Sequence, residues 1–357
     1  MKQLMKISFF GLLALFLFRC TPSSEQKLGQ KWTAEKAKQW YDSMGWRVGC
    51  NFIPSTAINQ LEMWQAATFD TSTINRELGW AAKIGFNTVR VYLHHAAWAI
   101  DKEGFKNRIK QYLSIANEHG IKTIFVIFDD CWNPFYTIGK QPEPKTGVHN
   151  SGWVRDPGDS IFLNPEMMNL LEAYVKDILS SFAHDNRILL WDLYNEPGNS
   201  GYGNASMPLL RNVFAWARTI NLSQPISSGV WNFSLKQLNA FQIENSDIIT
   251  YHNYDNLAHH LAAIDTLLRY GCPIICTEYM ARTRDSRFQN ILPMLKEKNI
   301  GAINWGLVAG KTNTIYAWDT SVTDGSEPKV WFHDIFRKDG TPYDTAEVNL
   351  IKKLTEN

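Results

Sequence analysis

The sequence predicts a single-domain (β/α)8 TIM barrel, and three observations predict it. Eight β-rich runs alternate with segments of helical periodicity along the 357-residue chain. The segments between the runs are long enough to be crossover helices, which join parallel strands. Polar residues able to do chemistry gather at the C-terminal ends of several runs, where such a barrel builds its site. A barrel of this kind takes roughly 250 residues, which leaves length for long loops.

The runs are Trp46–Phe52, Thr88–Leu93, Lys122–Asp129, Leu189–Glu196, Pro225–Val230, Asp247–Tyr254, Pro273–Met280 and Gly301–Val308. Between them lie the helical segments Thr73–Ile84, Phe105–His119, Pro165–Ala183, Met207–Asn221, His259–Tyr270 and Ser286–Lys298, and Thr345–Leu354 closes the chain. The fifth crossover, Ser234–Gln242, is the shortest. An open doubly wound sheet is the alternative architecture, but no Gly-rich phosphate loop follows the first run. Two connections exceed what a barrel needs: Asp130–Asn164 after strand three and Ala309–Asp344 after strand eight. Both carry Trp, Pro and Gly, and long loops at strand C-termini supply specificity.

Ahead of the barrel domain (46–357) stand a lead-in (21–45) and a start that reads as a signal peptide (1–20). Lys2 and Lys6 precede the apolar run Ile7–Phe18, which is too short to span a bilayer and fits a secretory signal, so the protein is expected to be exported. Cys20, followed by the polar stretch Thr21–Gln26, resembles the lipidated cysteine of a bacterial lipoprotein. Arg19 departs from the small residue usual there, so a lipid anchor to the membrane and ordinary cleavage both stay open. Cys272 and Cys276 lie in one strand, about 13 Å apart at ~3.3 Å per residue, and cannot pair. Cys50 and Cys131 sit near ends of non-adjacent strands, so free thiols are expected.

With 36 basic and 35 acidic residues and no basic run, nothing suggests a nucleic-acid partner. The 14 Trp, 13 Tyr and 19 Phe exceed what a core of this size requires, and sugar rings stack on such faces. No His/Cys/Asp spacing indicates a metal, and no cofactor is expected; the chain reads as a monomer.

Strand four reads Leu-Leu-Trp-Asp-Leu-Tyr-Asn-Glu-Pro over residues 189–197, ending in Asn195 and Glu196; strand seven, Pro-Ile-Ile-Cys-Thr-Glu-Tyr-Met over 273–280, presents Glu278. Strands four and seven face each other across a barrel mouth. Two carboxylates there suit double displacement at a glycosidic bond, which needs the pair about 5–5.5 Å apart. Strand two ends in Thr-Val-Arg-Val-Tyr with Arg90, and strand six in Tyr-His-Asn-Tyr, where period two puts His252 and Tyr254 on one face.

Trp191–Pro197 together with Thr277–Tyr279 resembles clan A of the glycoside hydrolases, especially family 5 (the cellulase family) and the family 2 barrel domain, from Trp46 to the C-terminus. The resemblance implies a retaining β-glycosidase acting on an oligo- or polysaccharide. In that reading Glu196 is the acid/base, Glu278 the nucleophile, and Asn195 a partner of the sugar 2-hydroxyl. Arg90 would hold Glu278 ionised, Tyr254 would donate to it, His252 would lie near the acid/base, and Trp305 would floor the subsite of the cleaved sugar. Where family 5 usually carries Asp-x-His after strand three, this chain reads Asp129-Asp130-Cys131-Trp132-Asn133, which leaves the substrate open. His94, His95, Trp132 and His149 are candidate binding groups, loop shape around Trp132, Trp153 and Trp331 is expected to set the sugar, and His259 and His260 should begin a helix facing solvent. Two other functions stay open: a non-catalytic glycan-binding surface protein on the same barrel, and a transglycosylase in which sugar replaces water.

Overall fold

The structure is a computed structural model in which residues 29–356 are described; the signal run and Cys20 lie outside them. Eight strands form: β1 (Val48–Asn51), β2 (Thr88–Tyr92), β3 (Lys122–Asp129), β4 (Ile188–Asn195), β5 (Ile226–Ser227), β6 (Ile249–His252), β7 (Ile274–Glu278) and β8 (Gly301–Asn304). Their spatial order is β5-β4-β3-β2-β1-β8-β7-β6, with all neighbours parallel. Between the two end strands a parallel bridge, Val230 to Tyr251, brings the sheet to closure. This is the (β/α)8 TIM barrel. The third run is observed unchanged, the fourth moves back by one residue, and the other six shorten, because a strand stops where its neighbour no longer offers backbone partners.

Helices follow the strands as the periodicity requires, and the short fifth crossover folds as Lys236–Asn245. Their apolar stripes cover the outer face of the barrel. The helix Lys102–Glu118, for example, is capped by the Asp101 carboxylate and buries Phe105, Ile109, Tyr112, Leu113 and Ala116. The helix Leu257–Leu268 corrects one expectation: His259 is exposed, but His260 is fully buried, its Nε2 2.9 Å from the Tyr251 hydroxyl. The fourth position along that helix falls on the stripe that faces the sheet.

Within the lead-in, Ala34–Ser43 forms a helix capped by Thr33. Its Ala37 and Tyr41 pack with Ile124, Leu189, Leu190, Ile248, Ile275 and Ile303, closing the N-terminal end of the barrel. The Tyr41 hydroxyl accepts from Gly301 N (2.8 Å) and donates to Asn299 O (2.8 Å), so burying it strands no polar group. Cys50, Cys131, Cys272 and Cys276 are free, as expected.

Candidate active site

Register brings the strand ends to one level. Asn51 pairs with Arg90, Asp129 with Asn195, and a shift after Tyr251 sets His252 opposite Glu278. Strict alternation would send Asn195 and Glu196 to opposite faces. Glu196 escapes it by taking a left-handed backbone, φ 45°, at the end of β4, a conformation costing about 1 kcal/mol or more for a non-glycine residue. Both residues thereby line a cavity of about 780 Å³ at the barrel mouth.

Glu278 is held by donors on both oxygens. Oε1 accepts from Arg90 Nη1 (2.7 Å) and the Tyr92 hydroxyl (2.8 Å), and Oε2 from the Tyr254 hydroxyl (2.7 Å). Arg90 is fully buried and also donates to Asp192 Oδ2 (2.7 and 3.0 Å), Asn51 Oδ1 (2.8 Å) and Asn195 Oδ1 (2.6 Å). Burial opposes its charge, but Tyr92, Asp192 and Glu278 outweigh burial and hold the guanidinium protonated. Burial, reinforced by the Glu278 charge, pushes the Tyr254 phenol up, so it stays a donor.

Glu196 has a different set. His252 Nδ1 lies 2.7 Å from Oε1, while Oε2 takes the Cys131 thiol at 3.2 Å and the Asn199 amide. Burial pushes the Glu196 carboxyl up, but the hydrogen bond and charge of His252, with the Cys131 and Asn199 donors, outweigh it and bring it below the ordinary glutamate value. The Cys131 thiol is raised by burial and by Glu196, so it remains an S–H donor.

Asn195 is fixed at both ends: Oδ1 accepts from Arg90, and Nδ2 donates to Asp129 Oδ1 at 2.8 Å. Trp153 Nε1 donates to the other Asp129 oxygen at 2.7 Å, and burial raises that carboxyl to about 7 against these hydrogen bonds. Trp305 lines the cavity, edge-on to Tyr92 (5.8 Å) and Trp153 (5.7 Å). Trp132 and His149 line it as well, their rings 5.2 Å apart.

His94 and His95 do not reach the cavity, which corrects their reading as binding groups. The chain turns into the helix His95–Ile100 directly after β2, burying both rings. His94 Nδ1 caps that helix at Ala96 N (3.1 Å); His95 bonds Asp156 through its ring and its backbone N–H (2.8 Å), and its Nε2 meets the Tyr136 hydroxyl (3.0 Å). They anchor the loop after β3. These two with Asp156 have metal-ligand spacing, but these hydrogen bonds occupy His94 Nδ1 and both nitrogens of His95. Trp331 is also buried away from the cavity.

Sequence reasoning missed Asn51, Tyr92, Asp192, Cys131, Asn199, Trp318 and His333. Two of them carried a signal. Tyr92 follows Arg90 by two in one strand and so shares its face, and Asp192 is a lone charge inside an apolar strand, which demands a buried cation.

Comparison with known proteins places the chain in a family. Residues 54–311 match the family described as Cellulase (glycosyl hydrolase family 5). Among solved structures the fold is similar to an exo-β-1,4-mannosidase from Opitutaceae bacterium strain TAV5, with TM-score 0.61 and 17% identity over 87% of this chain. The chain spans 59% of the length of that protein. It is also similar to the endo-β-1,4-mannanase from Thermotoga petrophila (TM-score 0.54, 14% identity, 88% of this chain and 77% of that one). The endo-1,4-β-mannanase from Rhizomucor miehei is comparable (TM-score 0.55, 14% identity, 88% and 99%). No curated protein matches the sequence. The match covers well over half of the chain, and so the chain belongs to glycosyl hydrolase family 5, the cellulase family, and is a glycosidase acting on O-glycosyl compounds.

Proposed function

We propose that this glycosidase cleaves a β-linked glycan with retention, Glu278 acting as nucleophile and Glu196 as acid/base. One observation carries the reading: Glu196, Glu278 and His252 each place a ligating atom within 4.8 Å of the others. Inverting enzymes keep their carboxyl groups roughly 6.5–9.5 Å apart to admit a water between them, so the close pair favours direct attack. In the first step a Glu278 oxygen bonds to the anomeric carbon as the bond to the leaving oxygen breaks, and Glu196 gives that oxygen its proton. In the second, Glu196 takes a proton from water, the water oxygen bonds to the same carbon, and the Glu278 ester bond breaks.

The surroundings of the pair fit the two steps. Arg90, Tyr92 and Tyr254 orient Glu278 and leave it no freedom to pivot. Esterification removes the Glu278 charge, and loss of a neighbouring negative charge favours the anionic, base form of Glu196 in the second step. The donors around Glu196 already lower it, so protonation of a poor leaving group is most effective in mild acid. Asn195, fixed between Arg90 and Asp129, presents its amide to the sugar 2-hydroxyl. The activities of the mannosidase and mannanases above make β-mannosides the first substrates to try.

Azide tests the assignment. Glu278→Gly should be inactive and regain activity with azide, giving a glycosyl azide of inverted configuration. Glu196→Ala should keep activity mainly on aryl glycosides with good leaving groups and give the retained azide. The two products exchanged would mean the roles are exchanged.

Export belongs to the same proposal, on the strength of Lys2, Lys6 and the run Ile7–Phe18. If Cys20 carries lipid, the wild type fractionates with membranes and Cys20→Ala does not.

A further inference from the structure

The cavity is closed at one end and open at the other. At the closed end the loops after β3 and β8 lock together: Asn150 N donates to Thr312 O (2.8 Å), Val322 N to Gly147 O (3.0 Å) and Asn313 Nδ2 to Lys145 O (2.9 Å). Gly147 permits the approach, for with φ +64° a Cβ there would stand 1.8 Å from Val322 O. The wall these loops build consists of His149, Trp318 and His333. Trp318 packs edge-on to Tyr254 at 5.0 Å, and the two histidine rings are 5.4 Å apart. At the other end, beyond Glu196, the lining residues are Asn199, Ser200, Trp231 and Phe233, of which Ser200 and Phe233 are exposed.

Chemistry orients a substrate between these ends. The anomeric carbon must meet Glu278 and the leaving oxygen Glu196, so the sugar to be released lies on the Glu278 side and the rest of the chain beyond Glu196. The wall stands on the Glu278 side. Trp318 and His333 both pack against Tyr254, the residue that hydrogen-bonds the nucleophile, so the wall stands one side chain away from Glu278.

The two histidines show what the wall recognises. His149 Nδ1 faces the carbonyl of Tyr316 (2.8 Å), and His333 Nδ1 faces that of Met280. A carbonyl only accepts, so both Nδ1 atoms carry the hydrogen, and each Nε2 is then an acceptor. Among the described residues neither Nε2 has a hydrogen-bond partner. Burial pushes the His149 ring down to about 4, and burial with the nearby His149 pushes His333 well below its ordinary value, so both stay neutral acceptors. Acceptors at a closed end suit the hydroxyl donors of a chain terminus.

We propose that the enzyme acts from the non-reducing end, releasing a single terminal sugar whose free hydroxyls donate to His149 and His333. This rests on the glycosidase reading above, and it adds the mode of attack. The open end, with Trp231 and Phe233 as stacking faces, tolerates aglycones of varied length.

Reducing-end-labelled β-linked oligosaccharides of two to six units test it on the wild-type protein, beside 4-nitrophenyl β-monosaccharides and analogues capped as the 4,6-O-benzylidene acetal at the non-reducing end. The earliest labelled product should be one unit shorter than the substrate. Capped analogues should react roughly 100-fold more slowly or worse, the scale set by unpaired buried acceptors and a blocked pocket. Short labelled products appearing first from the six-unit chain, or capped and free substrates cut within about threefold of each other, would overturn the exo mode and leave the glycosidase reading intact. Hydrolysis of none of these compounds would overturn both.

Discussion

Glu278 and Glu196 face the same cavity, yet one is gripped and the other is poised. Glu278 accepts from a buried guanidinium and two phenols, groups that stay protonated across any working pH and are themselves tied into β1, β2, β4 and β6. Glu196 accepts from an imidazole, a thiol and an amide, a looser set with no guanidinium in it. The difference matches the roles proposed for the two. A nucleophile needs one orientation and one charge, whereas an acid/base must change protonation state in every cycle.

Breaking the grip should have the largest effect. Arg90→Leu leaves Glu278 and Asp192 buried without their cation, and should cost about 3–5 kcal/mol of stability in urea unfolding, along with nearly all activity. A fully stable Arg90→Leu protein would mean the guanidinium is dispensable. Tyr254→Phe removes one neutral donor while keeping the ring against Trp318. It should fold normally and lower kcat by about 10- to 100-fold, the worth of a hydrogen bond to a charged group. Loss of that size from KM alone would indicate a binding role instead.

The smallest effects sharpen the other half of the comparison. Removing a donor to the anionic form of Glu196 raises its pKa, keeps the acid form to higher pH, and moves the basic limb of kcat/KM upward. His252→Phe should move it by about one pH unit and Cys131→Ala by about a few tenths, because one unit corresponds to about 1.4 kcal/mol and a thiol is a weak donor. Movement downward, or none in either variant, would remove Glu196 as the acid.

The barrel was legible in the sequence because strands buried on both faces read as apolar runs and helices as amphipathic ones. Arg90, Asn195, Glu196, His252, Tyr254, Glu278 and Trp305 were legible because a strand end in a barrel has a known destination. What failed lies just past those ends. His94 and His95 follow β2 by two and three residues, but the chain bends there into a helix and turns them under the next loop. His260 was misread because two adjacent histidines on a helix lie about 100° apart, so one of them can fall on the buried stripe. Of the closing wall, His149 and the two loops that carry it were read, but not the way the loops lock together. It depends on backbone hydrogen bonds between two loops more than 150 residues apart in the chain, as between Asn150 and Thr312, which leave no local pattern.

If Glu278 is the nucleophile, it forms a covalent bond to the sugar and Glu196 does not. An activated 2-deoxy-2-fluoro-β-glycoside forms the ester quickly and hydrolyses it slowly, so the intermediate accumulates and can be digested and sequenced by mass spectrometry. One fluoroglycosyl group per chain is expected, on the peptide carrying Glu278 and absent from Glu278→Gln. Label on the peptide carrying Glu196 would contradict it.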